Sequence, residues 1–270
     1  MSTMKIAGDS STPSAAVALG MRDGDKGTHT SRTIMLDELQ VLLAATDAAA
    51  SRDDYVRAVT RDNILAKRTA STRRLTGQRL SELYALSPEV SLFRVLRQFW
   101  DLAGTSRPLL AMLLALGRDP LLRATAEPVL SLAPGDEVGR QAVTDALRAA
   151  VGERLNDATL DKVVRNSLSS WTQSGHLTGR VRKYRQVVEP TPLVVVYALL
   201  LAYISGQRGA RLFDSFWCRV LDRPMDELIF LTMDAKRLGV IDFKQAGNVI
   251  EVNFRDLLTP DERKLIDEQG

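Results

Sequence analysis

Apolar residues recur every three or four positions along most of this chain, which predicts a succession of amphipathic helices. Residues 1–32 are rich in Ser, Thr, Gly, Asp and Ala and have no apolar period, and the helical pattern begins near Thr33. Two stretches, 108–116 and 193–204, are apolar on every side, so each should lie inside a bundle. We therefore predict a flexible tail over residues 1–32 and a helical bundle over residues 33–132.

The middle of the chain has the pattern of two tightly joined helices and a basic arm. One apolar stripe ends at Val151, a short turn reaches a helix-capping Asn156, and a second stripe continues to Trp171. After Gly175, β-branched and basic residues alternate through positions 178–188. Two short helices followed by a small hairpin are typical of a winged helix. We predict a basic winged-helix-like unit over residues 136–190.

The C-terminal part repeats this order in outline. A buried helix and two amphipathic helices precede a stretch in which Ile250, Val252 and Phe254 alternate with polar residues, which predicts a hairpin turning at residues 245–248. We predict a second helical, winged-helix-like unit with an acidic tail over residues 191–270. The predicted fold class is mostly α, a helical bundle followed by winged-helix-like units with short β-hairpin wings.

Charge distribution separates the two winged-helix-like units. The chain has a net charge of only +3, yet residues 162–188 contain six basic residues and no acidic one. Residues 222–270 contain eleven acidic and seven basic residues, a net charge of −4. A phosphate backbone attracts the first segment and repels the second, so only the middle unit suits DNA.

The predicted contacts comprise a polar stripe on the second helix of the middle unit and the basic arm after it. Arg, Asn and Gln can reach base edges with two hydrogen bonds, whereas Lys and Ser suit phosphates. These candidates are Lys162, Arg165, Asn166, Ser169, Gln173, Arg180, Arg182, Lys183 and Arg185. A second basic cluster at residues 61–79 supplies Arg68, Arg73 and Arg74 as candidate backbone contacts. The alternative interpretation of both sets is an ordinary solvated surface.

Enzymatic motifs are absent from the sequence. His29 lies in the predicted tail and His176 in the wing region, so no histidine pair is spaced for a metal, and no phosphate-binding or nucleophile-elbow pattern occurs. Cys218 is the only cysteine and is expected to be a buried structural thiol, which fits a reducing, cytoplasmic compartment. The longest apolar run is too short to span a membrane. We expect a non-enzymatic cytoplasmic protein without a metal or cofactor.

Several stretches resemble the BrxA family of bacteriophage exclusion (BREX) defence systems. They cover residues 63–74 (NILAKRTASTRR), 92–100 (LFRVLRQFW), 118–122 (RDPLL), 170–176 (SWTQSGH) and 192–221. The resemblance implies an all-helical, DNA-binding accessory protein that acts beside other BREX proteins. The family's bundle is also similar to the RNA-binding antitermination factor NusB, which keeps RNA open as a ligand.

Two other functions remain open at this point. The acidic C-terminal unit, with its apolar run at residues 228–230, could serve as a scaffold for a protein partner or for a second copy of the chain. The bundle could bind RNA. Double-stranded DNA remains the preferred partner because the basic, acid-free segment coincides with the winged-helix pattern.

Overall fold

The computed structural model describes residues 14–247 and 249–268, which are mostly helical. The first half contains α1 (Ala15–Ala18), α2 (Leu36–Ala45), α3 (Arg52–Thr60), α4 (Ala70–Tyr84), α5 (Ser91–Trp100), α6 (Arg107–Arg118), α7 (Pro120–Ala124) and α8 (Glu127–Leu130). The second half contains α9 (Arg140–Val151), α10 (Asp157–Gln173), α11 (Pro192–Ile204), α12 (Phe216–Arg219), α13 (Met225–Arg237) and α14 (Pro260–Asp267). The described segments also contain two antiparallel hairpins. One pairs β1 (Leu177–Thr178) with β2 (Tyr184–Arg185), and the other pairs β3 (Asp242–Ala246) with β4 (Val249–Asn253). The mostly helical class and the two small hairpins are confirmed.

Side-chain caps fix where several helices begin. Ser51 forms a capping box with Asp54 at the start of α3, so both orphan N–H groups of that turn are satisfied. Asp119 caps α7 by accepting from the N–H groups of Leu121 and Leu122. Asn156 caps α10 in the way that its position before the apolar stripe predicts.

The interior is one continuous hydrophobic core built around α6 and α11. Helix α11 contacts α5, α6, α12 and α13, and nearly all of its residues are buried. Trp100, Trp171 and Trp217 are all buried. Because these three side chains join the same cluster, the predicted limits at residues 132 and 191 do not separate independent cores. Among the described helices, none has both the length and the apolarity to cross a membrane.

The predicted flexible tail is wrong for residues 14–32. Leu19 and Met21 are buried in the core, and His29 is completely buried against α7 and α10. A short 3-10 turn, Thr28–Thr30, contacts α10, α4 and α7. The polar composition of residues 14–32 does not predict this packing. Hydrogen bonds to distant residues hold the segment, and no amphipathic helix is present to give it an apolar period. Residues 1–13 of the predicted tail lie outside the described segments.

Helices α9 and α10 and the hairpin β1–β2 follow one another in the order predicted for the middle unit. The 3-10 turn Gly152–Arg154 joins the helices, and the hairpin pairs Leu177 with Arg185 and Thr178 with Tyr184. Glu137 adds a bridge to Tyr184 from the strand-like segment before α9. The hairpin is therefore short but braced on its outer edge.

The C-terminal hairpin is longer than β1–β2 and turns later than predicted. Five residue pairs join β3 to β4, and the last of them, Ala246 with Val249, places Gln245 and Ala246 in the strand rather than in the turn. Gly247 adopts a positive φ of 58°, which a tight hairpin turn requires and glycine tolerates.

Candidate nucleic-acid interface

Helix α10 presents two long basic side chains to solvent. Leu160, Val163, Val164 and Trp171 bury its opposite face, and the 3.6-residue period then places Lys162 and Arg165 outward. Lys162 forms no ion pair within the described residues. The N-terminal half of α10 therefore provides an exposed basic surface.

The rest of the predicted polar stripe does not face solvent as a unit. Asn166 donates its Nδ2 hydrogen to the carbonyl oxygen of His29 at 2.8 Å, and the Oε1 of Gln173 accepts from the N–H of Leu36 at 3.2 Å. The Ser169 hydroxyl accepts from Gln173 at 3.4 Å. Asn166 and Gln173 hold His29 and Leu36 against α10, so their predicted role as base contacts is corrected to a structural one. Ser169, a predicted phosphate contact, bonds to Gln173 within α10.

The loop between β1 and β2 is tight and carries exposed basic side chains. Gly179 has a φ of 97°, and a Cβ there would lie 2.2 Å from the carbonyl oxygen of Arg182, so the turn requires glycine. The Lys183 ammonium donates to the carbonyl oxygen of Gly179 at 2.7 Å and closes the loop. Arg180 and Arg182 are exposed, and Val181 between them is 92% exposed. We call residues 179–183 the wing loop.

Arg185 is not part of this exposed surface. Its side chain is buried, its guanidinium pairs with Asp222, and it also donates to the carbonyl oxygens of His176 and Gln186. A phosphate cannot reach a guanidinium in this position, so the predicted contact is wrong. The physical role of Arg185 is to fix the base of the hairpin to the loop before α13.

Nearby carboxylates reduce the charge that the acid-free segment predicts. Asp161 pairs with Arg165 at 3.1 Å and also with Arg140, and both contacts are exposed. Glu137 approaches Arg182 at 3.9 Å. Such exposed pairs contribute little to stability and exchange readily, so these guanidinium groups remain available to a phosphate.

Only some of the basic side chains in the second cluster, residues 61–79, are available to a phosphate. Arg68 and Arg74 are exposed and form no ion pair within the described residues. Arg73 donates to the carbonyl oxygen of Thr60 at 3.2 Å and bridges α4 to the end of α3. Both α4 and α10 contact the 3-10 turn that contains His29.

A Ser–His–Asp connection, which the sequence did not reveal, lies behind α10. The Nδ1 of His29 is 2.7 Å from Oδ2 of Asp119, and its Nε2 is 2.8 Å from the Ser170 hydroxyl. Ser170 is completely buried, and its oxygen also contacts the N–H of Ile34 and the carbonyl oxygen of Asn166. Because the hydroxyl has no open side for a substrate, this arrangement acts as a structural connection between the N-terminal segment and the core.

His176 anchors the hairpin β1–β2 from inside the core. Its Nε2 donates to the carbonyl oxygen of Val220 at 2.8 Å, and its Nδ1 accepts from the Ser174 hydroxyl at 2.8 Å. The ring meets Trp171 edge-on at 4.9 Å between centroids. Burial lowers the pKa of His176 to about 4.

The buried neutral ring should make folding stability sensitive to mild acid. The unfolded chain binds a proton at His176 near its ordinary pKa of about 6.5, and the folded chain does not bind it until about pH 4. Stability contributed by the neutral ring is therefore complete above about pH 6.5 and falls by about 3 kcal/mol as the pH drops toward 4. Urea unfolding across this range should show a shallower pH dependence for His176→Gln than for the native chain. Equal slopes would contradict this assignment.

The other ionisable and metal-binding side chains of the described residues do not form a metal site or a reactive thiol site. Within the described residues, no group of three or more His, Cys, Asp or Glu side chains could hold a metal ion. Cys218 is buried, as predicted, and burial raises the pKa of its thiol to about 12, which disfavours the reactive thiolate.

No protein-family model matches the chain, and no curated protein sequence matches it significantly.

Proposed function

We propose that the protein binds double-stranded DNA through the exposed N-terminal half of α10 and the wing loop, and that it does so as a non-enzymatic accessory of a BREX-type phage-defence system. The observation that carries the proposal is the grouping of five exposed or partly exposed basic side chains on consecutive elements. They are Lys162, Arg165, Arg180, Arg182 and Lys183. The defence setting is supported only by the resemblance to the BrxA family.

The arrangement suits phosphate contacts better than base reading. Arg, Lys and main-chain groups position a protein on a duplex, whereas sequence is read by side chains that enter a groove. Asn166 and Gln173 are occupied by the segment before α2, so they are withdrawn from base contact. Val181 in the wing loop is 92% exposed, and in this proposal its apolar side chain meets the sugar or the groove edge. We therefore propose binding with weak sequence preference and a strong dependence on salt.

A triple replacement of Arg180, Arg182 and Lys183 by Ala tests the proposal. Binding of a labelled duplex of about 25 base pairs, followed by fluorescence anisotropy across a salt series, should be weaker, and the log–log salt slope should fall by about 2.7, or 0.9 for each lost phosphate contact. The matched control replaces Arg237, Lys244 and Arg255, three exposed basic residues of the acidic C-terminal unit, by Ala. The control should retain the native slope.

Two outcomes would contradict this proposal. One is a salt slope that is equally affected by the wing and control variants, because the effect would then be one of net charge. The other is the absence of duplex binding at low salt. A single-stranded RNA competitor that displaces the duplex more efficiently than DNA does would favour the RNA alternative.

The scaffold alternative has one specific observation in its favour. Phe230 and Met233 are exposed three positions apart on α13 and form a short apolar stripe on its surface. Leu238, just after the helix, is also exposed. Leu228, which the sequence placed in the docking run, is instead buried in the core. If the duplex does not bind, this stripe makes a protein-interaction role the leading explanation.

A further inference from the structure

A cavity with no lining residue from the wing loop lies between α3, α4 and the chain before the His29 turn. Its volume is about 510 Å³, which falls in the range of small-molecule sites. Val56, Val59 and Leu86 form an apolar floor. Gly77, in the middle of α4, also lines it and leaves the helix without a side chain at that position, although glycine costs a helix about 1 kcal/mol relative to alanine.

Four arginines surround this floor, and they have no carboxylate partner within the described residues. They are Arg22, Arg52, Arg74 and Arg118. The one acidic residue in the lining, Glu82, is already engaged. Its carboxylate accepts from Arg79 at 2.7 Å, from Gln78 at 2.9 Å and from Thr28 at 3.0 Å. The cavity therefore carries an excess of positive charge.

Two of these guanidinium groups are held close together by the backbone. Arg118 donates from Nε to the carbonyl oxygen of Glu82 at 3.1 Å, and Arg22 donates from Nη1 to the same oxygen at 3.4 Å. Arg118 also donates to the carbonyl oxygens of Ser81 and Gly20. Burial, together with the nearby charge of Arg22, lowers the pKa of Arg118 to about 10. The negative charge of an anion in the cavity would offset both the cost of burying the Arg118 charge and its repulsion from Arg22.

The shape and the charge together favour one ligand class. Paired guanidinium groups match the oxygens of a phosphate, and the apolar floor beside them matches a flat or aliphatic body. Arg118 is recessed behind the rim, whereas Arg52 and Arg74 are exposed. A duplex backbone would meet only the exposed pair, so a small molecule is favoured over nucleic acid.

We propose that this cavity binds a small phosphomonoester with an apolar body, of the size of a mononucleotide. The terminal phosphate lies between Arg22 and Arg118 at the recessed end. Arg52 and Arg74 close over it from the rim, and the body rests on Val56, Val59 and Leu86. This proposal does not depend on the proposed DNA surface, because none of these residues belongs to α10 or to the wing loop. Arg74 alone is also a candidate backbone contact of the second basic cluster.

Isothermal titration calorimetry with AMP and phenyl phosphate tests the site, with adenosine and inorganic phosphate as probes for each half of the ligand. Either phosphomonoester should bind at least about tenfold more tightly than the corresponding half. Replacing both Arg52 and Arg74 with Gln should weaken binding by about tenfold or more. The matched control, Arg57→Gln with Arg61→Gln, removes the same charge from exposed residues outside the cavity lining and should leave the affinity unchanged.

The proposal fails if neither phosphomonoester binds at concentrations on the order of 10 mM. It also fails if the Arg52/Arg74 and Arg57/Arg61 variants weaken binding equally, because that result would indicate a general charge effect. The triple wing-loop variant should bind AMP or phenyl phosphate like the native chain. Retained binding in that variant separates failure of this site from failure of DNA binding.

Discussion

Replacing Asp119 with Ala is expected to lower the free energy of unfolding by about 3–5 kcal/mol, a large part of the stability of a typical domain. Asp119 is almost fully buried and supports two elements at once. Its Oδ2 holds the ring and the backbone N–H of His29, at 2.7 and 3.1 Å, and its Oδ1 caps α7. The replacement would leave the buried polar groups of His29 without their partner and remove a helix cap in the same step.

The local packing allows little compensation. A Cβ on Gly27 would lie 2.1 Å from Oδ1 of Asp119, so the backbone before the His29 turn lies directly against the carboxylate. Burial by itself would raise the pKa of Asp119, but the charge and hydrogen bond of His29 and the N–H groups outweigh it and hold that pKa below the ordinary value. The stabilisation is therefore present above the unfolded pKa of about 3.8 and is lost as pH falls through the folded pKa.

Urea unfolding followed by circular dichroism would measure this loss, and hydrogen exchange would locate it. Amides of residues 14–32 should exchange faster in the Asp119 variant, because this residue ties the N-terminal segment to α7. Asp23→Ala is a suitable control, since Asp23 is largely exposed and lies 3.5 Å from Arg123, and it should change stability by less than about 0.5 kcal/mol. A loss below about 1 kcal/mol in the Asp119 variant would contradict the assigned role.

The parts of the fold that follow local periodicity could be predicted from the sequence. The apolar face of α10, the all-round apolar surface of α11 and the cap at Asn156 are decided by residues within one or two turns of each other. Their prediction required no knowledge of distant partners. The same local argument placed Trp171 in the interior, where the structure has it.

The errors fall where a polar residue meets a partner far away in the chain. Asn166 is separated by 137 positions from the His29 carbonyl that it binds, and Asp119 by 90 positions from His29. The spacing of apolar residues along the sequence does not predict hydrogen bonds between residues so far apart. A polar stripe on a helix therefore looks the same whether it faces solvent, DNA or another segment of the chain. The arginine-lined cavity was missed for the same reason, since its four arginines come from separate elements.

Arg185 offers a sharper distinction between a phosphate contact and an internal support. Arg185→Met is expected to lower the free energy of unfolding by about 3–5 kcal/mol, because the largely buried Asp222 would remain without its cation. Asp222 also accepts from the N–H of Val188 at 3.3 Å, so the pair supports the chain on both sides of the hairpin. The exposed Arg182→Ala should change stability by less than about 0.5 kcal/mol.

A double-mutant cycle isolates the pair itself. Asp222 adopts a positive φ of 54°, a conformation that Asn tolerates, so Asp222→Asn removes the charge without backbone strain. Arg185→Met combined with Asp222→Asn should be more stable than the sum of the single effects predicts, with a coupling energy of about 1–3 kcal/mol. Additive effects would show that the two side chains act independently.

DNA binding by the same variants then separates the two roles of basic residues in this region. Arg185→Met, measured at a temperature where it remains folded, should retain the native salt slope, because its guanidinium never reaches a phosphate. Arg182→Ala should reduce that slope by about 0.9. If Arg185→Met lowered the slope as much as Arg182→Ala while circular dichroism showed an intact fold, the buried pair would have to open on DNA, and the wing would be a movable element rather than a fixed one.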